Sequence, residues 1–181
     1  MFHDQTEGVV AIRRWRFEDL DAVYAIERQA GANAIDKGTL AVWTMTTYDY
    51  RGYVITEDEE VRGYAILFLT RDYHADIQAF RVSENHRRRR FGTRLLAHLV
   101  TELPTIDKSG KNRWQSLLAD IDSKNEAGLR LFGRVFTKTR IWLHMNHQGH
   151  LVSRRHEMTY PRPSNFTQAT IASTWPTAKE K

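Results

Sequence analysis

Ile77-Gln78-Ala79-Phe80-Arg81-Val82-Ser83-Glu84-Asn85-His86-Arg87-Arg88-Arg89-Arg90-Phe91-Gly92-Thr93-Arg94-Leu95-Leu96 decides how the chain is read. It is a strand, a short turn, an arginine run and the opening of a long helix. Phe91, Leu95, Leu96, Leu99, Val100 and Leu103 recur at helical spacing, so Arg88 to Glu102 is predicted to be an amphipathic helix. A helix N-terminus presents unpaired N–H groups and a partial positive charge, which makes it an anion site. Cations at that end oppose the helix dipole, at about 0.3–1 kcal/mol each. A bound anion relieves that repulsion, and two phosphates relieve it better than one carboxylate. Gly92, with no Cβ, lets a ligand approach the backbone.

The same block explains the net charge. Six arginines against the single acid Glu84 give +5 between Arg81 and Arg94, which is the formal charge of the whole chain. The other residues balance at 21 basic and 21 acidic. An arginine run alone reads as a solvated face or a nonspecific polyanion patch. Its place between a strand and a helix, closed by a glycine, favours a compact phosphorylated ligand.

Outward from this block the chain reads as one domain, residues 1–160, with a flexible tail at 161–181. Its length of 181 residues fits one domain, and 41% hydrophobic content supports a core. The absence of cysteine excludes a disulfide framework, a thiolate nucleophile and a cysteine zinc site. Met1 to Gly8 lacks an apolar signal region, and no stretch approaches ~18 apolar residues. The expectation is a cytoplasmic protein with no membrane association.

Val9 to Trp15 reads as a strand, followed by a helix from Phe17-Glu18-Asp19 carrying Leu20, Val23, Tyr24 and Ile26. A second helical stretch runs from Ile35 to about Thr47. Tyr53–Thr56 and Val61–Thr70 form a hairpin around the polar turn Glu57 to Glu60. Asp76–Val82 is a third strand. After the long helix come Pro104, a loop at Lys108 to Lys111, and a strand from Trp114 to Ile121. In that strand Leu117, Ala119 and Ile121 face one way, Ser116 and Asp120 the other. Asp122 to Asn125 turns into a helix carrying Ala127, Leu131 and Val135. Thr137–Met145 and Val152–Tyr160 are final strands around the turn Asn146 to His150. The order β-α-α-β-β-β-α-β-α-β-β suggests a mixed sheet with helices on both faces.

Val82 through Leu96 resembles motif A of the GCN5-related N-acetyltransferase (GNAT) superfamily, Gln/Arg-x-x-Gly-x-Gly/Ala at a helix start. Arg87 takes the first position and Gly92 the last, while Arg90 stands where the family has its first glycine. Val10 to Arg14 with Glu18-Asp19-Leu20, the hairpin Val54 to Ala65, and Asn125-Glu126-Ala127-Gly128 through Phe132 resemble further segments, so the likeness spans about residues 9–160. The asparagine and hairpin segments look most like the branch that acetylates protein N-termini, including ribosomal proteins. The implied fold is a mixed, mostly antiparallel sheet of about seven strands with helices on both faces. The implied cofactor is acetyl-CoA, and the implied reaction is direct attack of a primary amine on its thioester. That amine is a protein N-terminus or a small molecule. The final strands are where relatives form homodimers.

The resemblance also assigns roles. The amides and charges of Arg87, Arg88, Arg89, Arg90, Gly92 and Thr93, with Arg81 and the backbone of Phe80 and Val82, would hold the cofactor. Asn125 would add a side-chain contact, and the Val82 amide would serve the developing oxyanion. Asp76 is the candidate base, with Glu84 the alternative acid, too near the phosphate end. Phe132 stands where many relatives have tyrosine and cannot donate a proton, which leaves Tyr160 or water for the thiolate. His144, His147, His150 and His156 have no acid pair beside them, so no metal is expected. Trp43, Tyr48 and Tyr50 flank the acceptor region by the same likeness, although aromatic packing explains them too. Two other readings stand beside the enzyme: a basic module for nucleic acid or ribosome, and a relative that binds coenzyme A without turnover. Balanced charge outside the block and no arginine-aromatic interleaving argue against nucleic acid.

Overall fold

The computed structural model describes residues 8–45, 49–70, 74–102, 116–145 and 151–161. Along the chain run β1 (Val10–Arg14), α1 (Leu20–Glu27), α2 (Lys37–Met45), β2 (Tyr50–Glu57), β3 (Glu60–Leu69), β4 (His74–Val82), α3 (Phe91–Glu102), β5 (Ser116–Asp122), α4 (Glu126–Phe132), β6 (Thr137–Met145) and β7 (Leu151–Pro161). The strands form one seven-stranded sheet in the order β1-β2-β3-β4-β5-β7-β6. β4 and β5 pair in parallel, from His74↔Ser116 to Ile77↔Ala119. β1–β2, β5–β7 and β6–β7 pair antiparallel. This is the mixed, mostly antiparallel α/β sheet expected from the sequence. Tyr48, the loop Lys108 to Lys111, Trp114, the turn Asn146 to His150 and the tail beyond Pro161 lie outside the described residues.

The chain packs as two compact units, one of Met1–Leu67 with Gln78–Leu95, the other of Phe68–Ile77 with Leu96–Lys181. In the first, Leu20, Val23 and Ile26 line one face of α1. They meet Leu40, Val54, Tyr64, Ile66 and Ala79 around Trp15. Each such side chain removed from water contributes about 1.5–3 kcal/mol. Trp15 meets Tyr64 edge-on at 6.0 Å. It also fixes where β2 starts: a Cβ on Gly52 would lie 2.7 Å from the Trp15 ring. The strand therefore continues through a glycine and begins three residues before the expected Tyr53. Helix α2 starts at Lys37 rather than Ile35 because the Asp36 carboxylate accepts from the Thr39 amide at 2.9 Å. Asp58 and Glu59 turn the β2–β3 hairpin with φ of 50° and 66°. The Asp58 amide donates to the Val9 carbonyl at 3.0 Å, and its carboxylate accepts from the Val9 amide at 2.9 Å.

In the second unit β5 alternates as expected, with Leu117, Ala119 and Ile121 buried. Asn125 caps α4 by accepting from the Gly128 amide at 2.9 Å. The helix ends at Phe132, so Val135 lies beyond it in a turn. Phe132 is buried and packs edge-on against Phe136 at 5.1 Å, and Phe136 meets Tyr160 at 5.7 Å. β6 matches its expected bounds, and β7 extends the expected strand by one residue at each end.

Candidate active site

The arginine block lies in the first unit. β4 ends at Val82, and a single turn at Glu84–His86 leads toward α3. The Ser83 amide donates to the Arg62 carbonyl at 2.8 Å, and the Glu84 amide to Gln29 Oε1 at 2.9 Å, which fixes the exit from the strand. Arg88 and Arg90 then take φ of 65° and 64°, a left-handed conformation favoured by glycine. These two residues, and not the predicted Arg88 onset, delay α3 to Phe91. The first helix-closing bond runs from the Arg94 amide to the Arg90 carbonyl at 3.0 Å. The amides of Phe91, Gly92 and Thr93 therefore lie ahead of any intrahelical acceptor. Left-handed residues alternating in a turn curve their N–H groups into an anion-binding concavity.

The six arginines divide into two sets. Arg81 Nε donates to Glu27, a fully buried carboxylate that also accepts from the Tyr64 hydroxyl and, at 2.9 Å, from the Ile35 amide. Arg87 pairs with Glu84 at 3.1 Å. Arg89 grips Glu57 with both guanidinium nitrogens, one at 3.0 Å, and lies over the Phe91 ring at 5.3 Å. Among the described residues Arg88, Arg90 and Arg94 make no side-chain hydrogen bond or ion pair, and all three are exposed. Burial, then the charges of Arg62 and Arg89, hold His86 below the ordinary histidine value. Burial, then the bond to Glu27, pushes the Tyr64 hydroxyl far above its ordinary value. On β3, a Cβ at Gly63 would sit 2.7 Å from the Arg81 carbonyl and 3.3 Å from Val82 Cα. The backbone approach at the predicted Phe80–Val82 contact segment thus depends on glycine. Sequence reasoning missed Glu27 and Glu57, which consume two of the arginines, because their pairing is set by partners far along the chain.

Asp76, Asn125, Phe132 and Tyr160 lie in the second unit. Asp76 pairs across to Leu118, and Leu118 to Thr159. Asp120 and Glu157 face each other two positions along, on the same side of the sheet as Asp76. His74 completes this side, with Nδ1 2.6 Å from Ser116 Oγ. Asp76 Oδ1 is buried and has no hydrogen-bond partner among the described residues. Burial pushes Asp76 above the usual carboxylate range; His74 opposes that, while Glu157 and Asp120 reinforce it. Asp120 was assigned to the polar side of its strand from the sequence, but only the register aligns it with Asp76. Tyr160 pairs with Leu117 and so leaves the opposite face from Asp76. Burial raises its hydroxyl. Asn125 spends its Oδ1 on the cap of α4, and the buried Phe132 serves as core.

Among the described residues, no group of three histidine, aspartate or glutamate side chains could hold a metal ion, and no helix is long and apolar enough to cross a membrane. The pattern of the acetyltransferase (GNAT) family matches residues 11–136. Among curated proteins, no relative matches the chain. Solved structures do. The ribosomal-protein-S18-alanine N-acetyltransferase of Escherichia coli is similar with a TM-score of 0.70 at 23% identity, over 88% of this chain and 99% of that one. NAA60 of Arabidopsis thaliana, solved with a bisubstrate analogue, gives 0.68 at 14% identity, over 84% and 98%. The yncA protein of Salmonella typhimurium, solved with its cofactor acetyl-CoA, gives 0.68 at 21% identity, over 87% and 96%.

Proposed function

Because this chain belongs to the acetyltransferase (GNAT) family, and so is an acetyl-CoA-dependent acyltransferase, we propose that it acetylates a primary amine by direct attack on the thioester. The acceptor is a protein N-terminus or a small-molecule amine, and the fold shared with a ribosomal-protein-S18-alanine N-acetyltransferase supports the former. Acetyl-CoA supplies an acyl group activated as a thioester and a thiolate that leaves readily. The observation that carries the reading is the arginine turn: left-handed Arg88 and Arg90, three amides without intrahelical acceptors, and three uncommitted guanidiniums. The amides suit a diphosphate, and the guanidiniums add positive charge beside it.

The amides from Arg88 to Thr93 would hold the phosphates, with Phe80 and Val82 supplying backbone contacts and the Val82 amide facing the acyl oxygen. Asp76, pushed by burial above the usual carboxylate range and lacking a partner for Oδ1 among the described residues, would take the proton from the amine. Tyr160 is the proposed donor to the thiolate; lying on the other face of the sheet, it would exchange no proton with Asp76 directly. Asn125 retains its amide nitrogen for the cofactor. We place the enzyme in the cytoplasm, and its last strands are the proposed seat of a homodimer.

The test is a thermal shift with acetyl-CoA, followed by product analysis on a panel of peptide N-termini and small amines. At about 100 Kd the cofactor stabilises by about 2.7 kcal/mol, a rise of about 5–10 °C for a chain of this size. No shift at millimolar acetyl-CoA overturns the reading. A shift without product on any amine leaves a protein that binds coenzyme A without turnover.

A further inference from the structure

The arginine block holds more positive charge than a diphosphate needs, and its distribution shows where the surplus lies. Arg81, Arg87 and Arg89 are neutralised by Glu27, Glu84 and Glu57. Arg88, Arg90 and Arg94 are exposed, and none pairs with an acid among the described residues. No acidic residue lies in the first turn of α3. Three exposed arginines within seven residues thus lack an acid partner among the described residues, and like charges one turn apart repel.

A diphosphate linked on both sides carries one negative charge per phosphate, and backbone amides of a curved turn satisfy it well. A terminal phosphomonoester is a different ligand. It carries about −1.5 to −2 at pH 7 and offers three acceptor oxygens, which suits forked guanidiniums. Coenzyme A carries one such group, on the 3′-position of its ribose. Arg90 and Arg94 are neighbours on the opening turn of α3: the Arg94 amide bonds the Arg90 carbonyl at 3.0 Å, so the two residues are held one turn apart. Arg88 lies two residues before Arg90 and shares its left-handed φ.

We propose that Arg90 and Arg94, assisted by Arg88, bind the 3′-phosphomonoester of coenzyme A, so that the enzyme distinguishes acetyl-CoA from acetyl-dephospho-CoA. The proposal rests on the acetyl-CoA reading above. It assigns the amides to the diphosphate and the surplus arginines to the third phosphate.

Calorimetric titration of the full chain with the two cofactor forms, at fixed low salt, tests it. Acetyl-CoA should bind about tenfold tighter than acetyl-dephospho-CoA, which is about 1.4 kcal/mol. In the double variant R90G/R94Q the preference should fall to within about twofold. Glycine is chosen because it tolerates the left-handed backbone, so the turn is kept. R94K, which retains the charge without the fork, should keep part of the preference. Equal binding of both forms by the unaltered chain overturns the proposal and leaves the cofactor reading standing, as does a preference that persists in R90G/R94Q. If neither form binds, the acetyl-CoA reading fails and takes this one with it. If single-stranded RNA displaces both forms equally well and the two forms bind alike, the arginines serve a long polyanion and the proposal is wrong.

Discussion

Arg90 holds a conformation that costs an L-residue about 1–2 kcal/mol, at a position where glycine would adopt it freely. The cost is borne at the place where the charge is wanted. Arg90→Gly should therefore stabilise the folded chain by about 1 kcal/mol, raising the melting temperature by about 2–4 °C. Differential scanning calorimetry without cofactor checks this; an unchanged or lower midpoint would mean that the arginine side chain itself supports the turn. The presence of arginine at this place was legible in the sequence. Its φ was not, because nothing local to the residue dictates a left-handed backbone. Likewise, six arginines in fourteen residues were plain to read, but two of the three committed ones depend on Glu27 and Glu57, 54 and 32 positions from their partners.

At the scale of elements, the sequence reading anticipated the α-helices and strands found among the described residues but not the 3-10 turn at Arg28–Asn33, and boundaries shifted where a side chain or glycine intervened. The stripe of α3 was legible from Phe91, Leu95 and Leu99, but its start moved by three residues because Arg88 and Arg90 leave the helical region. β2 gained Tyr50, Arg51 and Gly52 because the ring of Trp15 packs where a Cβ would otherwise sit. Register was the least legible feature. Alternation put Asp120 on the polar side of β5, but only the parallel pairing Asp76↔Leu118 and the antiparallel pairing Asp120↔Glu157 bring three acids to one side. The approach of β3 to β4 is equally specific. A methyl at Gly63 meets the Arg81 carbonyl at 2.7 Å, and backbone cannot rotate aside as a long side chain can. Gly63→Ala should cost about 1–3 kcal/mol by crowding and should also weaken acetyl-CoA binding, because Arg81 and Val82 must shift. Urea denaturation and cofactor titration on the same variant measure both. Lost stability with unchanged affinity would separate this contact from the cofactor segment.

For the molecule as a whole, Asp19, Tyr64 and Asp76 are among the described groups that tie stability to pH. Burial raises Asp19, but its bonds from Arg13 and from the Arg16 amide outweigh burial and lower it below the ordinary value. Its contribution is present above the unfolded value of about 4 and is lost as pH falls through the lower folded value. Tyr64 is raised, so its contribution is present below about 10 and is lost as pH rises toward the folded value. Asp76 is also raised, so its stabilising effect belongs to the protonated form below about 4 and disappears as pH rises through the folded value. At neutral pH this carboxylate is a burden that the fold retains. Asp76→Asn should therefore raise the melting temperature at pH 7, converge with the unaltered chain near pH 4, and lower kcat by about 10²–10⁴-fold as expected for loss of a general base. Melting curves across pH and a product assay test both halves; a less stable or fully active variant contradicts the assignment.

The sheet also ends somewhere. Among the described residues its edges are β1 and β6. β1 has five residues and closes on two arginines. β6 is longer, but its register slips between Lys138 and Arg140 and again between His144 and Met145. Neither border offers an incoming strand more than about five residues of unbroken ladder, and charge or irregularity bounds each one. Borders of this kind leave an incoming strand little regular ladder to extend, the route by which an open sheet otherwise grows into fibrils.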